Sequence, residues 1–230
     1  MATKITKKDL TQDEFLDTVF DLGEWVEKHW RTVLGAGIGL MAVVALIVGW
    51  SSWRESTSRD ANRALAEGLA AFEPQADASG KTPAPDYATA LARFDDAASK
   101  AGGQAVGSVA RLYRGRALIA LGRASEAVPV LEGVSQTGNP TLAALGKATL
   151  ADALAASGNL DRAAALLTEM SAATGGAYPP DAALFALAGV RERQGKKAEA
   201  RRAYQDLVSR FPQSPFAESA KKETGGATAR

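Results

Sequence analysis

The chain has 230 residues and a formal net charge of +1, from 27 lysines and arginines against 26 aspartates and glutamates. It has no cysteine and one histidine, which excludes disulfide scaffolds, thiolate metal sites and cysteine nucleophiles. Aromatics are 7% of residues within a 46% hydrophobic fraction dominated by alanine, leucine and valine, a composition for close-packed helices rather than sheets.

The first 32 residues carry seven acidic side chains and read as a tail containing one short helix. Thr11 followed by Glu14 has the spacing of a capping box, and Phe15, Val19, Leu22 and Val26 then form one apolar stripe. Residues 33–53 contain no charge at all. As a helix those 21 residues span about 31 Å, which matches a bilayer core of about 30 Å. Trp30, Trp50 and Trp53 flank the run, where indoles favour the membrane interface. A secretory signal needs a short basic leader and a small-residue cleavage site, and neither is present. The run is therefore expected to be a single transmembrane helix. Five basic residues precede it against Arg54, Arg59 and Arg63 after it, which favours a cytoplasmic N-terminus. In a bacterium the remainder would then be periplasmic. Gly35 and Gly39 form a GxxxG pattern, a packing face for another copy of the helix or another membrane protein. His29 stands beside this run with no second histidine and no cysteine with which to make a metal site.

Residues 54–73 read as a helix with Ala61, Ala64, Leu65, Leu69 and Phe72 on one face, followed by a proline-rich loop over 74–85. Beyond it the sequence repeats. Gly122, Gly158 and Gly195 are spaced by 36 and 37 residues. Five residues after each comes Ala127, Ala163 or Ala200, and nine after each comes Leu131, Leu167 or Tyr204. Ala90 and Phe94 fall into those two positions in an earlier, degenerate copy, and Gly115, Ala151 and Ala188 stand seven residues before each glycine. Such a pattern predicts helical hairpins. Glycine caps the first helix, a small residue lets the second approach, and a large one fills the layer beneath. Pro212 follows Gly195 by 17 residues, where the last second helix should stop. FAESAKK then reads as a capping helix, and residues 224–230 as a disordered tail.

These residues resemble the tetratricopeptide repeat over roughly residues 54–212, with departures: the period exceeds 34, an early tryptophan is missing, and Arg191 stands where a large apolar residue is usual. The expected fold is all-α, an N-terminal transmembrane helix (33–53) followed by an α-solenoid of divergent tetratricopeptide-like hairpins (54–223), with about four hairpins and a cap. Carried over position by position, the resemblance implies groove-facing residues Leu112, Arg116, Ile119, Asp152, Phe185 and Glu192. The adjacent acids Asp95 and Asp96 point to different sides of a helix and cannot act as one acid–base pair. With no nucleophile elbow, phosphate loop or metal motif, neither an enzyme nor a cofactor is expected. Two basic clusters, Arg111–Arg123 and Arg191–Arg202, read as solvated faces or as surfaces for acidic partners or lipid headgroups. Near-zero net charge argues against nucleic acid.

The order of acidic tail, GLMAVVALIVGWSSW anchor and alanine-rich hairpins is similar to a bacterial family of single-pass inner-membrane proteins, the ancillary Sec translocon subunits. That resemblance implies association with the translocon and contact with periplasmic chaperones or newly translocated proteins. The residues alone also accommodate a periplasmic scaffold for envelope assembly or cell division, or an organellar import receptor with a cytosolic repeat domain.

Overall fold

In the computed structural model the described residues are 58–76, 80–101, 105–173 and 175–225. The tail helix, the apolar run 33–53 with its GxxxG pattern, and residues 226–230 lie outside them. Among the described residues no helix is long and apolar enough to cross a membrane. They form nine helices and no strand. These are α1 (58–72), α2 (Tyr87–Ala101), α3 (Ala105–Ala120), α4 (Ala124–Ser135), α5 (Pro140–Ala156), α6 (Leu160–Ala172), α7 (Pro180–Arg193), α8 (Lys197–Arg210) and α9 (Ala217–Gly225).

Four hairpins, α1–α2 to α7–α8, pack on one another in chain order, and α9 covers α8. Residues 74–76 and 80–85 have no regular structure, as the proline content requires. Helix α8 ends at Arg210, two residues before Pro212.

The three hairpin turns are built alike. Gly122, Gly158 and Gly195 have φ of +75°, +87° and +76°. In the first, the Gly122 N–H donates to the Ile119 carbonyl at 3.0 Å and the Arg123 N–H to the Leu118 carbonyl at 2.8 Å. Gly158 with Asn159, and Gly195 with Lys196, repeat both bonds. This double bond satisfies carbonyls that a helix end leaves unpaired, and it requires a left-handed residue at the glycine. Helix starts are capped by side chains where the linkers are longer: Asn139 Oδ1 accepts from the Leu142 N–H at 3.0 Å, with Pro140 opening α5. Asp86 Oδ1 likewise accepts from the Thr89 N–H at 3.0 Å before α2.

Small-to-large packing joins the helices of a hairpin. A Cβ placed on Gly115 of α3 would stand 2.5 Å from Leu131 Cδ2, and Leu131 is completely buried in α4. The first hairpin uses the same device, because a Cβ on Gly68 of α1 would stand 2.6 Å from Phe94 Cε1. Gly68 was not aligned with the other copies because the 74–85 loop lengthens its distance to Phe94 to 26 residues, against 16 from Gly115 to Leu131. Between hairpins, Gly146 brings α5 against Val134 and the Ser135 backbone. The result is a core running from Leu112 to Val190, joined at its ends by an aromatic cluster of Phe72, Tyr87, Phe94 and Tyr113 and by the α7–α9 layer.

Candidate functional site

The first helices of the hairpins carry the expected partner-binding positions. Gly115, Ala151 and Ala188 stand at equivalent places in α3, α5 and α7, so Arg116 and Asp152, each one residue later, occupy equivalent places on neighbouring helices. Both are exposed. The Arg116 guanidinium lies 5.2 Å from the Phe72 ring centroid and 5.1 Å from that of Tyr113, and 3.7 Å from the Glu73 carboxylate. Two aromatic faces and a carboxylate thus fix a cation on the surface.

Asp152 retains solvent-accessible area but is crowded by surrounding protein. That crowding pushes its carboxyl above the usual aspartate value, and the nearby positive charge of Arg116 opposes the shift. Burial, with the negative charges of Asp152 and Asp181, holds the Tyr178 phenol above its ordinary value. Asp181 itself accepts a hydrogen bond from the Ser214 hydroxyl at 2.7 Å. Leu145, seven residues before Asp152 and so on the same stripe of α5, is 43% exposed.

The remaining positions differ in what they offer. Leu112 is only 6% exposed and belongs to the central core. Ile119 is half-buried against the same core. Phe185 is half-buried between Tyr204 and Phe216, with ring centroids 5.7 and 5.0 Å away. Glu192 is exposed and borders a cleft with Lys197, Arg201, Tyr204 and Glu223. Sequence register assigns these six residues to first helices, but could not separate residues turned into the core from those left at its surface. An apolar residue at a helix position flanking the stripe reads the same either way, which is also why Leu145 was missed.

A separate apolar notch of about 200 Å³ opens between α5, α6 and the loop before α7. Ala143, Ala144, Met170 and Tyr178 line it, and the Lys147–Glu169 ion pair at 2.8 Å stands at its rim.

Three of the four arginines in the Arg111–Arg123 cluster are neutralised locally. Arg114 pairs with Asp95, Arg116 with Glu73 and Arg123 with Glu126, while Arg111 donates to Ser108. Asp96 pairs instead with Lys100 at 2.8 Å, so the adjacent acids Asp95 and Asp96 serve different cations. Arg191 is reconciled with its apolar position by polar contacts: it pairs with Glu199 at 3.2 Å and donates to Gln194 at 2.9 Å. Among the described residues no group of three or more histidines, aspartates or glutamates is placed to hold a metal ion.

A protein family described as a tetratricopeptide repeat-like domain matches residues 24–220, 197 of the 230 positions. No curated protein and no solved structure matches the chain.

Proposed function

The chain belongs to the tetratricopeptide repeat-like family, and from that premise we propose that it is a membrane-anchored protein-interaction module associated with the Sec translocon. Repeat domains of this type serve as scaffolds that bind other proteins rather than as enzymes. In the proposed arrangement residues 33–53 cross the bacterial inner membrane once, the N-terminus is cytoplasmic, and the repeats work in the periplasm. There they link chaperones or newly translocated proteins to the translocon. The observation that carries the reading is the order of elements. An uncharged 21-residue run flanked by tryptophans leads directly into the repeats, and the family match from residue 24 takes in both.

The partner-binding face of this proposal is the row of first helices, with Arg116, Asp152 and Glu192 as its charged positions and Ile119, Leu145 and Phe185 as its apolar ones. Leu112 contributes from beneath, as core. The mixture of both charges with aliphatic and aromatic surface suits extended or partly folded clients better than one strict motif. Gly35 and Gly39 would pair the anchor with another copy or with a translocon subunit.

Topology provides the test. The chain has no cysteine, so a substitution at the exposed Thr82, Thr82→Cys, creates a unique label site. Labelling by a membrane-impermeant maleimide from the periplasmic side supports the proposal. Labelling only from the cytosol, or a chain that does not sediment with membranes, overturns it.

A further inference from the structure

We propose that the outer face of α8 is a second docking surface, which takes a short acidic segment of a protein partner. Elsewhere in the stack the cations are largely committed: Arg93 to Glu67, Lys147 to Glu169 and Arg162 to Glu132, besides those already described. Helix α8 departs from that economy. Lys197, Arg201 and Arg202 fall within six residues, all are exposed, and their side chains have no ion-pair partner among the described residues. The neighbouring cations that do find acids are Arg191, paired with Glu199, and Lys196, paired with Asp161.

The placement concentrates the charge. Residues 197 and 201 are four apart and lie on one face of the helix, with Arg202 beside them. Lys197 is the first residue of α8, where the aligned backbone dipoles of the helix add to the positive potential. Clefts open on both sides of Arg201: one of about 300 Å³ with Glu192, Lys197 and Tyr204, the other of about 440 Å³ with Lys197, Arg202 and Gln205. Like charges held this close repel, and an anion lying between them relieves the repulsion.

The shape of the patch selects the occupant. The cations form a strip one to two turns long, bordered by the exposed carboxylates of Glu192, Glu199, Asp206 and Glu223. A plane of anionic headgroups would press those carboxylates against phosphates, and the strip presents Ala198 and Gln205 rather than a large apolar residue that would insert into lipid. A narrow acidic segment laid along the strip meets the cations and avoids its borders. This surface does not depend on the translocon reading, and needs only that the chain be an interaction module.

The test uses the full chain in phosphatidylcholine nanodiscs and a fluorescent octaglutamate peptide, read by anisotropy. Binding that weakens with added salt is expected. The K197E/R201E/R202E variant should bind about tenfold more weakly or worse, on the scale of three exposed charge contacts. A control that reverses two paired cations, R93E/K100E, should stay within about twofold of the wild type, since those cations are already neutralised. The neutral variant K197Q/R201Q/R202Q repeats the comparison should the reversed one fold poorly. Absence of peptide binding, equal losses in the patch and control variants, or binding to phosphatidylglycerol vesicles without binding to the peptide would overturn the proposal.

Discussion

The close crossing of α3 and α4 at Gly115 should respond to a single methyl group. Replacing Gly115 by alanine brings two opposed effects. Alanine favours the helix over glycine by about 1 kcal/mol. The new Cβ, however, would stand 2.5 Å from Leu131 Cδ2 and 2.6 Å from its Cγ. The second atom is the branch point of the side chain, so a χ2 change cannot clear it, and a χ1 change would have to drive the fully buried leucine into its close-packed neighbours. Helices α3 and α4 must move apart, which costs about 1–3 kcal/mol for overpacking. The net effect is destabilisation by about 1 kcal/mol, or a fall of about 2–4 °C in Tm for a domain of this size. Gly133, on the exposed side of α4 with nothing within 4 Å of its Cβ position, is the control. Gly133→Ala should raise Tm, because only the propensity gain operates there. Thermal unfolding of the full chain followed by circular dichroism measures both. If Gly115→Ala stabilised as much as Gly133→Ala, the close crossing at Leu131 would be refuted. A double mutant with Leu131→Ala should cost less than the sum of its parts, since removing the leucine makes room for the methyl.

Four further outcomes follow from the same geometry. Phe94, fully buried under Gly68 and packed on Phe72 and Tyr113, should cost about 3–5 kcal/mol when truncated to alanine, seen as early melting of the first hairpin in hydrogen exchange. Gly122→Ala places a Cβ at φ +75° and should destabilise by about 1–2 kcal/mol in urea unfolding, with no clash to blame since nothing lies within 4 Å. Asp152 has a raised folded-state pKa, so its ionisation opposes folding. Stability from this group is full below the unfolded value and declines as pH rises through the folded one. Asp152→Asn should therefore raise Tm at neutral pH and lose that advantage at a pH below the unfolded value of 3.8. Carboxyl NMR of Arg116→Gln should show the Asp152 pKa higher still, because the opposing positive charge is gone.

Much of this fold is written in spacing that local physics makes readable. A left-handed glycine must stand at each tight hairpin turn, and the residues five and nine positions later must be small and large for the second helix to pack. Ala127, Ala163 and Ala200, and Leu131, Leu167 and Tyr204, are all buried as that rule requires. The first hairpin was harder because its loop insertion hides Gly68, although the same contact is made once the chain folds. The candidate face was legible only as a face. Whether Leu112 points into the core while Leu145 remains outside depends on how tightly neighbouring hairpins close, and no local pattern encodes that. The fate of each cation was equally hidden. Arg114 and Arg162 find acids on other helices, whereas Lys197 and Arg201 do not, and only the stacked hairpins reveal which is which.

The central claim is that the first-helix face of a membrane-anchored repeat domain holds translocon-associated partners. Photo-crosslinking in living bacteria from position 145, with the exposed position 133 on a second helix, α4, as control, tests it most directly. The account predicts adducts from position 145 with a translocon subunit, a periplasmic chaperone or a secretory protein in transit, and few from 133. Adducts confined to cytoplasmic proteins, or identical adducts from both positions, would contradict it.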